Sequence, residues 1–143
     1  VNFGPLLVIA HWSTGILLFA LAMISVSMSV LIAVKPAADP ANAELLRKAN
    51  IVGLTESIVA GVVALTGLIA VFIGSWSLSE LWLWLSLVIM LFYLTALKRV
   101  TKPARQVVAV GGSAIKSGMQ VILQIAHLLL LLVAFLLMLL KPA

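Results

Sequence analysis

The sequence contains no cysteine, which excludes disulfides, thiolate metal sites, iron–sulfur clusters, c-type haem attachment and S-palmitoylation together. Charge is the second shortage. Only 9% of the 143 residues are Asp, Glu, Lys or Arg while 64% are hydrophobic, against roughly 25% charged in ordinary soluble domains. With a mean hydropathy of +1.30, that balance excludes a soluble globular domain and leaves no polar stretch long enough to fold outside a bilayer. No nucleotide-binding, metal-ligating or catalytic motif stands out, so no catalytic residue, metal site or soluble substrate is expected. The net charge of +5 resembles a nucleic-acid signal until the positions are read. The basic residues sit in short segments beside apolar runs, where they report topology rather than a nucleic-acid partner.

What the chain does have is four long apolar runs. The first covers residues 5–34 and is closed by Lys35-Pro36; 30 helical residues reach roughly 45 Å at about 1.5 Å per residue, so this span should tilt or protrude. It is too long, and lacks the basic leader, for a cleaved signal peptide. Asp39-Pro40 is a helix-start signal, with Asp as N-cap, and predicts a short surface helix before the second span at 51–74. The third span, 81–97, is short and stops at Lys98-Arg99; a loop at 98–116 then leads to the fourth, 117–140. All five prolines fall at the edges of these spans, as continuous helices in lipid require. The expected fold class is therefore all-α: a polytopic membrane protein built as a single bundle of four transmembrane helices.

Of nine Lys and Arg residues, eight lie in the first and third connections: Lys35, Arg47, Lys48, Lys98, Arg99, Lys102, Arg105 and Lys116. By the positive-inside rule, segments 35–50 and 98–116 are cytoplasmic and both termini are outside, in a bacterial inner membrane. Trp12, Trp76, Trp82 and Trp84 fall near the outer span ends, where indole rings prefer the headgroup boundary. Lys98, Arg99, Lys102 and Arg105 are in addition candidates for contact with anionic lipid.

On the second helix, spacings of three and four pick out Gly53, Ser57, Ala60, Ala64, Gly67, Val71 and Gly74, and Gly53, Ser57 and Gly61 form a ladder of small residues, which predicts close packing and a central place for that helix. Equivalent faces are His11, Gly15, Leu18, Ala22, Ser25 and Ser29 on the first helix, and Gln120, Gln124, His127, Leu131, Ala134 and Met138 on the fourth. The intramembrane polar residues are His11, Glu56, Gln120, Gln124 and His127. Such groups need partners in hydrocarbon. Hydrogen bonding between helices accounts for the glutamines; the histidines are candidates for a ligand or proton role, and Glu56, about two turns into its helix, is expected to snorkel toward Arg47 or Lys48. Haem b held jointly by His11 and His127 meets a difficulty of depth. On centred helices the two differ by roughly 14 Å in height, so one-histidine ligation, or no cofactor, is the simpler expectation.

The opening Leu6-Leu7-Val8-Ile9-Ala10-His11-Trp12-Ser13-Thr14-Gly15, the segment 43–50 leading into Leu65-Thr66-Gly67-Leu68, and the basic stop after a Trp-rich third helix resemble the four-helix bacterial membrane proteins grouped with copper-resistance protein D and the HemJ type of protoporphyrinogen oxidase. The resemblance implies that His11 is the residue associated with haem b or metal. Ala10-His11-Trp12 is also similar to the start of the bacterial di-haem cytochromes b, but those need four histidines and this chain has two. A di-haem carrier is thereby excluded.

Size, minimal connections and small-residue faces favour a non-catalytic accessory or scaffold subunit of a larger, bioenergetic membrane complex, with the bilayer and other membrane subunits as partners. The alternative is a b-type haem redox protein using His11. A small proton-conducting or transport protein, with His11, His127, Gln124, Gln120 and Glu56 as a broken path, is the third reading.

Overall fold

The computed structural model describes residues 4–36, 39–73, 78–112 and 117–140. They form four helices, α1 (Gly4–Ala33), α2 (Ala41–Ile73), α3 (Leu81–Ala109) and α4 (Ser117–Leu140). Each is long and apolar enough to cross a bilayer, and no strand occurs among the described residues. The chain is an all-α four-helix membrane bundle. Gly74, Trp76, Lys116 and Lys141 lie outside the described residues.

Local chemistry sets the helix ends. Asp39 Oδ1 accepts the Ala41 N–H at 2.9 Å, capping α2 just after Pro40, whose missing N–H costs nothing there. No separate surface helix precedes the second span: α2 runs unbroken for 33 residues, since nothing between Asn42 and Ile51 breaks it. The third span is also longer than its apolar run. α3 continues through Lys98, Arg99 and Pro103 to Ala109, so four of the basic residues assigned to a loop lie on helix. Pro103 is thus inside a helix rather than at its edge, leaving the Arg99 carbonyl without its usual donor four residues on. The helix stops at Gly111, where φ is +71°. There Gly111 N–H bonds the Val108 carbonyl at 3.1 Å and Gly112 N–H the Val107 carbonyl at 2.9 Å. This 5→2 and 6→1 pair closes the orphan carbonyls, and glycine takes the left-handed position without a Cβ penalty.

The helices form a ring in which α1 packs on α2 and α4, and α3 on the same two, while across the diagonal α2 and α4 meet through side chains, Glu56 reaching His127. α2 is therefore one of four equivalent walls and not a central helix. Its buried stripe is Asn42, Leu46, Gly53, Glu56, Ala60, Val63 and Ala70. Of the expected small residues, Gly53 packs against Thr101, and Ala64 and Gly67 are half-buried, but Ser57 and Gly61 lie on the exposed face. A Cβ on Gly61 would meet nothing within 4 Å. On α1 and α4 the expected faces are the buried ones, from Gly15 to Ser29 and from Gln120 to Ala134.

The core has two parts. Leu18, Ala22, Ala60, Val63, Tyr93, Leu97, Val100 and Leu131 fill the middle of the bundle. Ile32, Leu46 and Ala104 form a second cluster where the long ends of α2 and α3 meet α1. Arg47, Lys48, Lys98, Arg99, Lys102 and Arg105 are all exposed around this second cluster, which defines a basic end. Hydroxyls on the helices mostly bond back to their own backbone: Thr14, Ser27, Thr55, Ser57, Thr66, Thr95 and Thr101 each donate to the carbonyl four residues earlier. In hydrocarbon this is the cheapest way to satisfy them.

Candidate functional site: a buried glutamate–histidine centre and a histidine-lined cavity

Glu56 reaches neither the basic end nor Arg47, which pairs instead with Glu44 at 2.7 Å. Its carboxylate is 0% exposed and receives one side chain from each of the other three helices. Ser25 Oγ on α1 donates to Oε2 at 2.8 Å. Tyr93 Oη on α3 donates to Oε1 at 3.0 Å, and His127 Nε2 on α4 lies 2.8 Å from the same oxygen. Both ring nitrogens of His127 are engaged, because Nδ1 faces the Gln124 carbonyl of its own helix. A carbonyl only accepts, so the network assigns a hydrogen to Nδ1. The remaining proton then sits either on Nε2, giving an imidazolium–carboxylate pair, or on Glu56, giving two neutral groups. The two forms differ by one proton moved across a single hydrogen bond. Tyr93 also stacks on His127, with ring centroids 5.8 Å apart and an interplanar angle of 16°, which fixes the imidazole in plane.

Toward the basic end this centre adjoins a small, mostly apolar crevice of about 20 Å³, walled by Ile32, Leu46 and Val100, into which Ser25, Ser29, Thr101, Gln120 and Gln124 bring the polar groups. That is room for about one water. Gln120 donates from its side-chain nitrogen to the Val100 carbonyl, whereas Gln124 Oε1 is buried with no partner among the described residues. Toward the opposite end the neighbours are apolar: Leu18, Val63 and Leu131 are buried there. The centre is open to polar groups on one side only.

His11 is in different surroundings. Its Nδ1 lies 2.9 Å from the Val63 carbonyl and 3.3 Å from Thr66 Oγ1. Thr66 donates its own hydrogen to the Val62 carbonyl at 2.8 Å, so it accepts from the imidazole, and Nδ1 carries the proton. In the neutral ring, Nε2 then has a lone pair. Its nearest polar neighbour is Met138 Sδ at 3.5 Å, itself an acceptor. Gly67 makes this placement possible, because a Cβ there would come within 2.8 Å of His11 Cε1. Here the glycine serves the histidine and not the approach of a helix backbone. His11 and Met138 line a cavity of about 320 Å³ between the four helices, together with Trp12, Trp82, Ser86 and Phe135.

The two histidines do not converge on one site. His127 has no free nitrogen and no cavity in front of it, so it does not fit an iron. His11 fits the arrangement of a metal-binding imidazole, with Nδ1–H on a backbone carbonyl and Nε2 free, although Met138 stands in front of Nε2 and would have to move. No group of three or more His, Cys, Asp or Glu able to hold a metal ion occurs among the described residues.

Of the expected polar residues, the structure joins Glu56 to His127, places Gln120 and Gln124 in the crevice beside them, and sets His11 apart. Tyr93, Ser25 and Ser86 were not singled out as site residues. Tyr93, the one tyrosine of the chain, carried no signal, because it lies four residues before the end of the 81–97 run, near the boundary that tyrosine ordinarily prefers. Ser25 and Ser86 carried none, since serine in a span ordinarily bonds its own helix. Comparison with known proteins leaves the site to be read on its own geometry, as no family model, curated protein or solved structure matches this chain.

Proposed function

We propose that this chain is a small proton-handling membrane protein, acting as a subunit of a larger bioenergetic complex in the bacterial inner membrane, with its basic end in the cytoplasm and both termini outside. The observation that carries the reading is Glu56: a fully buried carboxylate held by Ser25, Tyr93 and His127 from three other helices. Packing alone gives no reason to bury an ionisable pair at the cost of its hydration. A purely structural scaffold is served as well by the apolar core around it. The crevice at Ser25 and Gln124 supports proton exchange with the basic end, and the apolar layer at Leu18, Val63 and Leu131 supports its isolation from the other. On this reading the exposed Lys98, Arg99, Lys102 and Arg105 anchor the basic end against anionic headgroups.

Infrared difference spectra of the protein in lipid, recorded across a pH titration, test the assignment. A carboxyl band that appears with pH and is missing in Glu56→Gln is expected. Spectra of the two proteins that coincide would refute it.

A second reading, haem b on His11, is favoured by the free Nε2 and by the resemblance to the copper-resistance protein D and HemJ group. Protein made in haem-replete cells would then show a Soret band that His11→Ala removes.

A further inference from the structure

The cavity around His11 holds two polar atoms whose hydrogen-bonding capacity is unmet. His11 Nε2 is an acceptor facing only another acceptor, Met138 Sδ. Ser86 is 1% exposed, lines the same cavity, and its hydroxyl has no partner among the described residues. It makes neither the bond to the carbonyl four residues back that Thr14, Thr66 and Thr101 make nor a cross-helix bond like that of Ser25. Leaving a buried hydroxyl unpaired is costly, because it gives up its hydration for nothing. Two such atoms in one apolar cavity describe a site complementary to something that carries a hydrogen-bond donor and an acceptor.

The walls define the rest of that molecule. Trp12, Trp82 and Phe135 present aromatic surface, and Phe135 is held edge-on to Phe19 with ring centroids 6.0 Å apart. Gly15 and Gly67 keep the wall thin beside them. The volume, about 320 Å³, is at the low end of ligand pockets and suits one substituted ring. Leu68 of α2 and Leu91 of α3 are wall residues that are also exposed surface, so the mouth lies between those two helices and opens on lipid. The occupant enters from the bilayer.

We propose that this cavity binds the head group of a membrane-soluble hydroquinone or phenol, whose hydroxyl donates to His11 Nε2 and whose oxygen accepts from the Ser86 hydroxyl. The site goes beyond the proton reading and does not rest on it, since Glu56 and His127 take no part. Chemistry sets an order of preference. The oxidised quinone has acceptors only, so it satisfies Ser86 and leaves His11 Nε2 unpaired; the dimethyl ether of the hydroquinone does the same. Simple partition into the cavity or the bilayer would not distinguish the three.

The test is quenching of tryptophan fluorescence in lipid nanodiscs, with Trp12 and Trp82 as reporters, by an alkyl-tailed benzohydroquinone, its quinone and its dimethyl ether. Saturable quenching is expected, with the hydroquinone about tenfold tighter than either analogue, since both lack the one hydrogen bond to His11 Nε2. Ser86→Ala should weaken the hydroquinone and the ether alike, about fivefold, and disturb the fold little, because it removes one hydroxyl. His11→Phe should abolish the preference for the hydroquinone over the ether; if that variant does not fold, Ser86→Ala carries the test alone. Quenching that rises linearly with probe, equal affinity for the three compounds, or a tighter quinone would each overturn the proposal. So would a Soret band lost in His11→Ala, because iron would then occupy Nε2.

Discussion

The chain carries two histidines, and the structure uses them in opposite ways. His127 is sealed: 0% exposed, both nitrogens engaged, one face against Tyr93, and its partner Glu56 tied to two further helices. His11 is half-buried at a cavity wall, with one nitrogen anchored to α2 and the other free of any donor. The difference shows that an intramembrane histidine is defined by how many of its nitrogens its own chain already satisfies. One region is a closed polar core in which a buried carboxylate and a buried imidazole satisfy each other. The other is an open site whose hydrogen-bonding needs point outside the protein.

The comparison breaks most sharply under substitution. Glu56→Ala leaves the His127 imidazole buried without its partner, and should lower stability in detergent by about 3–5 kcal/mol. His11→Ala removes about one hydrogen bond at an existing cavity, for a loss of about 1 kcal/mol. Thermal unfolding followed by circular dichroism measures both. Equal losses would mean that the two histidines are not in different classes of environment.

The glycines of α2 give the next largest contrast. Gly67→Val places a Cβ where His11 Cε1 now lies, so overpacking should cost about 1–3 kcal/mol and displace the imidazole. Gly61→Val faces open space and should stay within about 0.5 kcal/mol of the wild type. The same unfolding measurement sharpens the picture if only Gly67→Val also shifts the His11 resonance in a selectively labelled sample.

The smallest effect is a gain. Removing the unpartnered hydroxyl in Ser86→Ala should raise the stability of the ligand-free protein by up to about 1 kcal/mol, as deletion of an unsatisfied buried polar group does. A loss in the melting experiment would show that Ser86 has a structural partner and does not belong with His11 as half of an open site.

Four spans, their alternation and the basic end were legible in the sequence because each follows from a local quantity: run length against bilayer thickness, and the position of Lys and Arg. The buried faces of α1 and α4 were legible too, since their polar and small residues recur at helical spacing among plain Leu, Ile and Val. The face of α2 was legible only in part, for Gly53 and Ala60 but not for Glu56 and Val63. Gly53, Ser57 and Gly61 and the observed Gly53, Glu56, Ala60 and Val63 both satisfy helical spacing, and a preference for small residues chooses the wrong stripe when the true one contains a charge. The lengths of α2 and α3 were underread for a related reason: hydropathy marks where lipid ends, whereas a helix continues as long as its side chains find packing, as Leu46 and Ala104 do with Ile32.

The partnership of Glu56 with Ser25, Tyr93 and His127 was decided by the tertiary structure alone. These residues are 31, 37 and 71 positions apart from it along the chain, and nothing local to any of them specifies the rotation and height of four helices about a common axis. Composition determined that the protein lives in a bilayer and that any ionisable group within it must find a partner there. Which partner it finds, and which histidine is left with a nitrogen to offer, depends on registers that only the packing of the assembled bundle fixes.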